Sequence, residues 1–178
     1  VTGALRVIGG AWKSRRLTVA AGSRPTSDRA REALFDILGE RIRGRRVLDL
    51  YAGSGAVALE ALSRGAASAV AVDRDPSAAA ANARALDAPL EVIRADAAAA
   101  VRRLAAAGRE FDLVFLDPPY GAPAMPGEEL AGVTAPDGRI VWQTDGGEEP
   151  SPLPGWKTER VARYGRNVFT FLAREPGP

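Results

Sequence analysis

Asp117, Pro118, Pro119 and Tyr120 follow directly on the run Phe111-Asp112-Leu113-Val114-Phe115-Leu116, which reads as a buried strand. A carboxylate, two rigid prolines and an aromatic ring make a poor turn at a strand end. They make a good clamp for a flat ring that carries an amine. An exocyclic amine is a weak nucleophile, because its lone pair is delocalised into the ring. An enzyme that alkylates it must accept its N–H protons and hold a face of the ring. Asp117 and the backbone carbonyl of Pro118 can accept those protons, since proline keeps its C=O. Pro119 stiffens the segment and Tyr120 offers the stacking face.

A second cluster could hold the reagent. Asp49-Leu50-Tyr51-Ala52-Gly53-Ser54-Gly55 follows another apolar run and opens a helical pattern. Gly53 and Gly55 allow a tight turn and the close approach of a ligand. The stretch Gly53–Ala58 also fits the dinucleotide fingerprint, with Asp73 placed as the ribose-binding acid. A nicotinamide dinucleotide therefore competes for this site. The charge at Asp49 argues against it, because a carboxylate at the mouth of the site repels a pyrophosphate. The same carboxylate attracts a sulfonium and an α-ammonium, the cations of S-adenosylmethionine (SAM). In the other reading Asp49 caps the following turn. Asp73, with Arg74 and Asp75 behind it, ends the next strand pattern and is assigned to the ribose hydroxyls. Asp96, followed by Ala97, ends the one after. It could accept from an adenine amine or serve as the N-cap of the next helix.

These acids need a scaffold that brings them to one edge. Strand patterns at 46–51, 69–73, 90–94, 112–116 and 139–144 alternate with helical patterns at 55–64, 76–86 and 97–107. Continuous apolar strands separated by helices predict a parallel sheet covered on both faces. Residues 156–164 and 167–173 read as an antiparallel hairpin turning at Gly165-Arg166. Between 121 and 138 only Glu128–Val133 suggests a helix. Ahead of the sheet, apolar spacing predicts a helix over about 27–41, stopped by Gly44. Residues 5–19 read as a β-hairpin turning at either Gly9-Gly10 or Lys13-Ser14, the latter preferred because Gly9-Gly10 could be a bulge. Domain division follows, with an N-terminal hairpin extension over 1–22 and the main domain over 23–178.

Composition removes other chemistries. The 178 residues include no cysteine and no histidine, which excludes Cys/His zinc sites, cysteine nucleophiles and Ser-His-Asp triads. Acid–base work falls to Asp, Glu, Lys or Tyr. No apolar run approaches a membrane span and no signal-peptide pattern opens the chain, so a cytoplasmic protein is expected. The numbering opens on Val1 rather than a methionine, which leaves room for residues upstream. A formal charge of +2 hides an asymmetry: residues 1–48 carry +7 and the remainder −5. A basic end on an acidic body suggests a polyanion contact at that end, or else a solvated charged helix. Arg6, Trp12, Lys13, Arg15, Arg16, Arg24 and Arg29 are the candidates for RNA contact. For Trp12 the other reading is a plug between hairpin and body.

Taken together, Asp49 with Gly53 and Gly55, the acids at successive strand ends, and Asp117–Tyr120 resemble a class I SAM-dependent methyltransferase of the amino-methylating group. Three further stretches narrow the likeness: Arg6–Trp12, then Arg24–Glu32 with Leu34-Phe35, then Glu60–Ala66. They resemble the RsmD family, which methylates N2 of one guanine (guanine 966) in bacterial 16S ribosomal RNA. The resemblance implies a Rossmann-like α/β fold, seven strands with an antiparallel last strand, and SAM as methyl donor. It implies 16S rRNA as partner, in the small subunit or an assembly intermediate, and a metal-free monomer. Thr26 matches the family position near the methionine end of SAM; it could instead be a helix N-cap. The family places a longer helix after the clamp, where this chain has Gly121–Pro126 with two prolines. Two alternatives stay open on the residues: a DNA adenine-N6 or cytosine-N4 methyltransferase, and an idle RNA-binding protein of the same fold.

Overall fold

A computed structural model describes residues 5–19, 26–119, 121–122, 125–145 and 152–175. Tyr120 and Arg24 lie outside these described residues, as do 1–4 and 20–22 of the expected extension. Helix α1 (Asp28–Leu38) is capped by Ser27, whose hydroxyl accepts from Ala30 N–H at 3.2 Å. It buries Ala30, Ala33 and Leu34 and ends at Gly39, whose φ is +52°. The predicted continuation to residue 41 is a separate 3-10 turn, Gly39–Ile42.

Strands β1 (Arg46–Leu50), β2 (Ser68–Asp73), β3 (Leu90–Arg94) and β4 (Phe111–Leu116) alternate with helices α2 (Ala56–Ser63), α3 (Ser77–Leu86) and α4 (Ala97–Ala106). A short α5 (Gly127–Ala131) then leads into β5 (Thr134–Asp145), β6 (Trp156–Tyr164) and β7 (Asn167–Arg174). One seven-stranded sheet results, in the order β3-β2-β1-β4-β5-β7-β6. β1 to β5 are parallel, and β7 runs antiparallel between β5 and β6. The expected antiparallel last strand is present. β5 starts five residues earlier than expected, because Thr134 already pairs with Phe111. The register then slips, Leu113 pairing with Arg139, so that Pro136 is accommodated at an irregularity rather than in the ladder.

The sheet is covered on both faces. Val47, Leu113, Val141 and Phe169 meet α1 and α2 on one side. Leu48, Val70, Val114 and Ile140 meet α4 and α5 on the other. The order reverses between β1 and β4, and the carboxyl ends of β1, β2, β4 and β5 flank that crevice. This switch point is where open α/β sheets bind ligands.

The N-terminal segment departs from a regular hairpin. Arg6 and Arg16 form its one described ladder pair, supported by Leu17 N–H to Leu5 O at 2.8 Å and Val7 N–H to Arg15 O at 2.9 Å. Its tip is a loop around a 3-10 turn, Gly10–Trp12, rather than a tight Lys13-Ser14 turn. Contact with α2 explains the difference. Gly10 sits at φ +74°, and a Cβ there would lie 1.8 Å from the Ser63 carbonyl oxygen. Ser63 Oγ accepts from Trp12 N–H at 2.9 Å and donates to Gly9 O at 2.6 Å. The Glu60 carboxylate accepts from Ile8 and Gly9 N–H at 2.7 and 2.8 Å. Every residue of α2 is buried as a consequence.

Candidate active site

A cavity of about 900 Å3 opens at the switch point. Its lining contains every described residue expected for the cofactor except Gly55: Thr26, Asp49, Tyr51, Ala52, Gly53, Ser54, Asp73, Arg74, Asp96 and Ala97. Asp117, Pro118 and Pro119 close it on the β4 side. The two glycines divide their work. A Cβ on Gly53 would meet nothing within 4 Å, which leaves room for a ligand, whereas one on Gly55 would stand 3.0 Å from Ala79 Cβ. Gly55 therefore serves the packing of the loop on α3 and lies outside the lining.

Asp49, the next-to-last residue of β1, is almost without exposure, and its Oδ2 accepts from Ala58 N–H of α2 at 3.2 Å. The capping role read from sequence is thus present. Burial pushes its carboxyl up to about 8, and the Asp117 and Asp73 carboxylates add to the rise. Asp73 holds the glycine loop, accepting from Gly53 N–H at 2.8 Å and from Asp75 N–H at 2.9 Å. Asp96 Oδ1 caps α4 through Ala98 and Ala99 N–H, and its Oδ2 takes Arg74 Nη2 at 2.6 Å. Arg74 is exposed and lies across this rim. The Arg74 guanidinium holds the Asp96 carboxyl below its ordinary range, helped by the two cap donors.

Asp117 is fixed through Thr26 by Gln143 and Asn167, two residues that the sequence did not single out. Thr26 Oγ1 lies 3.4 Å from Asp117 Oδ2 and 3.1 Å from Gln143 Oε1. Gln143 Nε2 donates to Thr26 Oγ1 and to Asn167 Oδ1, both at 3.0 Å. The single hydroxyl proton of Thr26 goes to the stronger acceptor, which is the carboxylate when Asp117 is ionised. A chain from β7 through β5 to the loop before α1 therefore ends on Asp117. Burial pushes the Asp117 carboxyl up to about 6, against the Thr26 hydrogen bond and with the Asp145 charge. Since Ser27 caps α1, Thr26 is free for this contact. Gln143 is 4% exposed, a polar residue inside an otherwise apolar strand, and that was the available signal. Met125, Pro126, Arg102 and Glu129 form an outer wall that the sequence reading also missed.

None of the described residues among the expected RNA contacts lines this cavity. Arg6 reaches Asp28 at the start of α1 at 3.3 Å, and Arg29 and Arg16 are exposed nearby in the chain. Trp12, Lys13 and Arg15 lie around the C-terminal ends of α2 and α3, where Arg15 Nη2 donates to Ala85 O at 2.9 Å. Because both helices run back from the strands' carboxyl edge, that is the edge opposite the cavity. Trp12 is half-buried against the core, the plug reading made from sequence. Among the described residues no group of three or more Asp or Glu could hold a metal ion, and no helix is long and apolar enough to cross a membrane.

Sheet order, switch-point cavity and acidic strand ends together define a class I methyltransferase fold. The same sheet occurs in the Thermus thermophilus 16S rRNA N2 G1207 methyltransferase RsmC, in complex with AdoMet and guanosine (TM-score 0.67, 21% identity, covering 97% of this chain and 50% of that one). Residues 5–173 match the family described as Conserved hypothetical protein 95, and the chain belongs to this family, the RsmD family. The Escherichia coli K12 ribosomal RNA small subunit methyltransferase D is 41% identical over 126 residues, 67% of this chain and 62% of that relative. The chain thus spans less than two thirds of that relative's length. A hypothetical protein of Thermus thermophilus shares the whole architecture, with a TM-score of 0.82 and 33% identity over 96% of this chain and 99% of that one.

Proposed function

We propose that this chain transfers a methyl group from SAM to the exocyclic N2 of a guanine, guanine 966, in 16S rRNA of the small subunit. The observation that carries the reading is the convergence of Asp49, Asp73 and Asp117 on one cavity at the switch point. Asp49 is the test of fit for the donor. A buried acid that keeps its proton up to about 8, beside Asp73 and Asp117, gains from a cation that restores its ionised form, and a phosphate offers it no such gain. Thr26 and Asp49 would face the methionine end, Asp73 the ribose, and Asp96 with Ala97 the adenine; Tyr51, Ala52, Gly53, Ser54 and Arg74 complete the walls. SAM would supply a methyl group on a positively charged sulfur.

The residues around that group do positioning work. Asp117 and the Pro118 carbonyl accept the N–H protons of the target amine and turn its lone pair toward the donor. Pro119 fixes the segment and Tyr120 stacks on the base, worth on the order of 1–3 kcal/mol. Asp117, once ionised, is also the nearest base for the proton that the amine must lose. Orientation dominates, because no side chain needs to become covalently attached. Arg6, Arg16, Arg24 and Arg29 would meet RNA phosphates beside the site, and Trp12, Lys13 and Arg15 only a more distant part of the same RNA.

Incubation with labelled SAM and undermethylated small subunits, naked rRNA or DNA, followed by nucleoside analysis, tests the reading. N2-methylguanosine is expected from the ribosomal samples; label confined to N6-methyladenine or N4-methylcytosine of DNA would replace it. Asp117→Ala should lower turnover at least a thousandfold and leave SAM affinity nearly unchanged. Turnover near the wild-type rate in that variant would remove Asp117 from the mechanism.

A further inference from the structure

The β6–β7 hairpin offers a surface that the proposed function does not use. Its tip, Tyr164-Gly165-Arg166-Asn167, stands at the carboxyl edge of the sheet, because Asn167 pairs with Asp145 at the end of β5 and with Tyr164. Asp145 lines the cavity, and Asn167 receives Gln143 of the chain that holds Asp117. Three strand spacings separate β4 from β6, so Tyr164 lies on the order of 15 Å from Asp117. That is the distance of near neighbours of a base held in the clamp.

Tyr164 is 40% exposed, the one large hydrophobic side chain among the described residues that is classed as exposed. Its ring leans on Phe169, with centroids 6.5 Å apart and planes tilted by 53°. The backing fixes the ring's orientation, so little freedom is lost when a base stacks on it. Arg163 precedes it, and Arg166 follows with its guanidinium on Asp145 at 3.2 and 3.3 Å, the side chain still 74% exposed. Lys157 and Arg160 extend the basic character along the same edge strand. Charges on an edge strand alone would be explained as protection against strand pairing. An exposed aromatic at the end nearest the cavity is not explained that way, since it adds a sticky surface. Arginines flanking an exposed aromatic are the composition of a single-stranded nucleic-acid platform.

We propose that the β6–β7 tip binds the unpaired RNA next to the target base, Tyr164 stacking on a neighbouring base while Arg163 and Arg166 meet phosphates. The proposal rests on RNA being the substrate. Binding of a fluorescent single-stranded 16S rRNA fragment containing the target guanine, followed by anisotropy, tests it. Tyr164→Ala should weaken binding about 5- to 100-fold and raise KM for that RNA, with KM for SAM and the melting temperature unchanged. Tyr164→Phe should bind as wild type, because the ring is kept. Arg163→Gln with Arg166→Gln should flatten the dependence of affinity on salt. Wild-type binding that survives all of these changes removes the tip from the RNA path and leaves the proposed function standing. A wild-type protein that binds none of the RNA fragments and methylates neither naked rRNA nor small subunits removes both. Unchanged RNA binding with lost methylation of whole subunits would assign the tip to a ribosomal protein and overturn the proposal.

Discussion

The N-terminal segment 5–19 and the β6–β7 hairpin are both rich in arginine, yet their tips stand at opposite edges of the sheet. The first lies along α2 and α3 with its tip at their C-terminal ends, held by Glu60, Ser63 and Asn82. The second turns at the carboxyl edge, where the cavity opens. Charge composition marks both as candidates for a polyanion; strand direction separates them. A hairpin whose second strand pairs antiparallel to the last parallel strand must turn at the carboxyl edge, whereas a segment docked on helices turns wherever those helices end.

Docking the first segment costs two buried charges, which makes Glu60 the sharpest place to break the comparison. Glu60 and Arg31 are both fully buried, 3.9 Å apart, with Asp28 on the Arg31 guanidinium at 3.0 Å. Burial holds the Arg31 guanidinium below its ordinary pKa, opposed by Glu60 and Asp28. Glu60→Gln leaves Arg31 without its buried counter-charge and should cost about 3–5 kcal/mol, seen as a melting temperature lower by on the order of 10 °C. Arg31→Met added to Glu60→Gln should recover part of that loss, because the unpaired buried charge goes and the glutamine oxygen can still accept from the segment's N–H groups. A Glu60→Gln protein that melts like wild type but fails to bind RNA would reverse the assignment and make the segment functional rather than structural.

The carboxyl edge, where the second hairpin meets β5 through Asn167 and Gln143, should show the opposite signature, loss of rate without loss of stability. Asn167 anchors Gln143, which donates to Thr26, which donates to Asp117. Gln143→Leu keeps the volume but frees Thr26 to turn, so the hydrogen bond on Asp117 weakens. The expected result is kcat lower by about tenfold with KM for SAM unchanged. The pH dependence supplies an independent reading. Asp117 must be ionised to accept amine protons, so wild-type kcat should fall as pH drops through about 6. Losing the Thr26 hydrogen bond favours the protonated form and should move that midpoint upward. Asp145, whose charge raises the Asp117 midpoint, is unchanged in the variant and pushes in the same direction in both proteins, and Asp49, raised to about 8, is still protonated near pH 6 in both. A slower enzyme with an unmoved midpoint would show that Gln143 only supports packing.

The same contrast explains what could be read from sequence. β3 and β6 were legible to the residue, because each is a short apolar or alternating run between turn signals. Asp49, Asp73, Asp96 and Asp117 were legible because each stands where such a run ends. Glu60 was not, since a glutamate on a helix reads as solvent-facing until a segment over fifty residues away covers it. Gln143 was hidden likewise; its partners come from residues 26 and 167, and only the sheet order brings them together. Thr26 and Ser27 show how fine the limit is. Both residue types cap helices, and one position decides which of them is left to hold Asp117.

Lys13 and Arg15 carry the smallest expected effect and the cleanest discrimination. They sit near Trp12 at the far edge, and Arg15 already spends one donor on the Ala85 carbonyl. A flanking nucleotide beside the target cannot reach them while the base occupies the clamp. Lys13→Ala with Arg15→Ala should therefore change affinity for a short single-stranded fragment less than threefold and leave its salt slope intact. Only an RNA long enough to pass along α2 to the opposite edge should feel the loss, since each phosphate contact removed lowers the salt slope by about 0.7. Measuring the slope for a short and a long fragment compares the two ends of the molecule directly. A short fragment that loses as much to this double change as to Tyr164→Ala would place the RNA along the N-terminal segment instead.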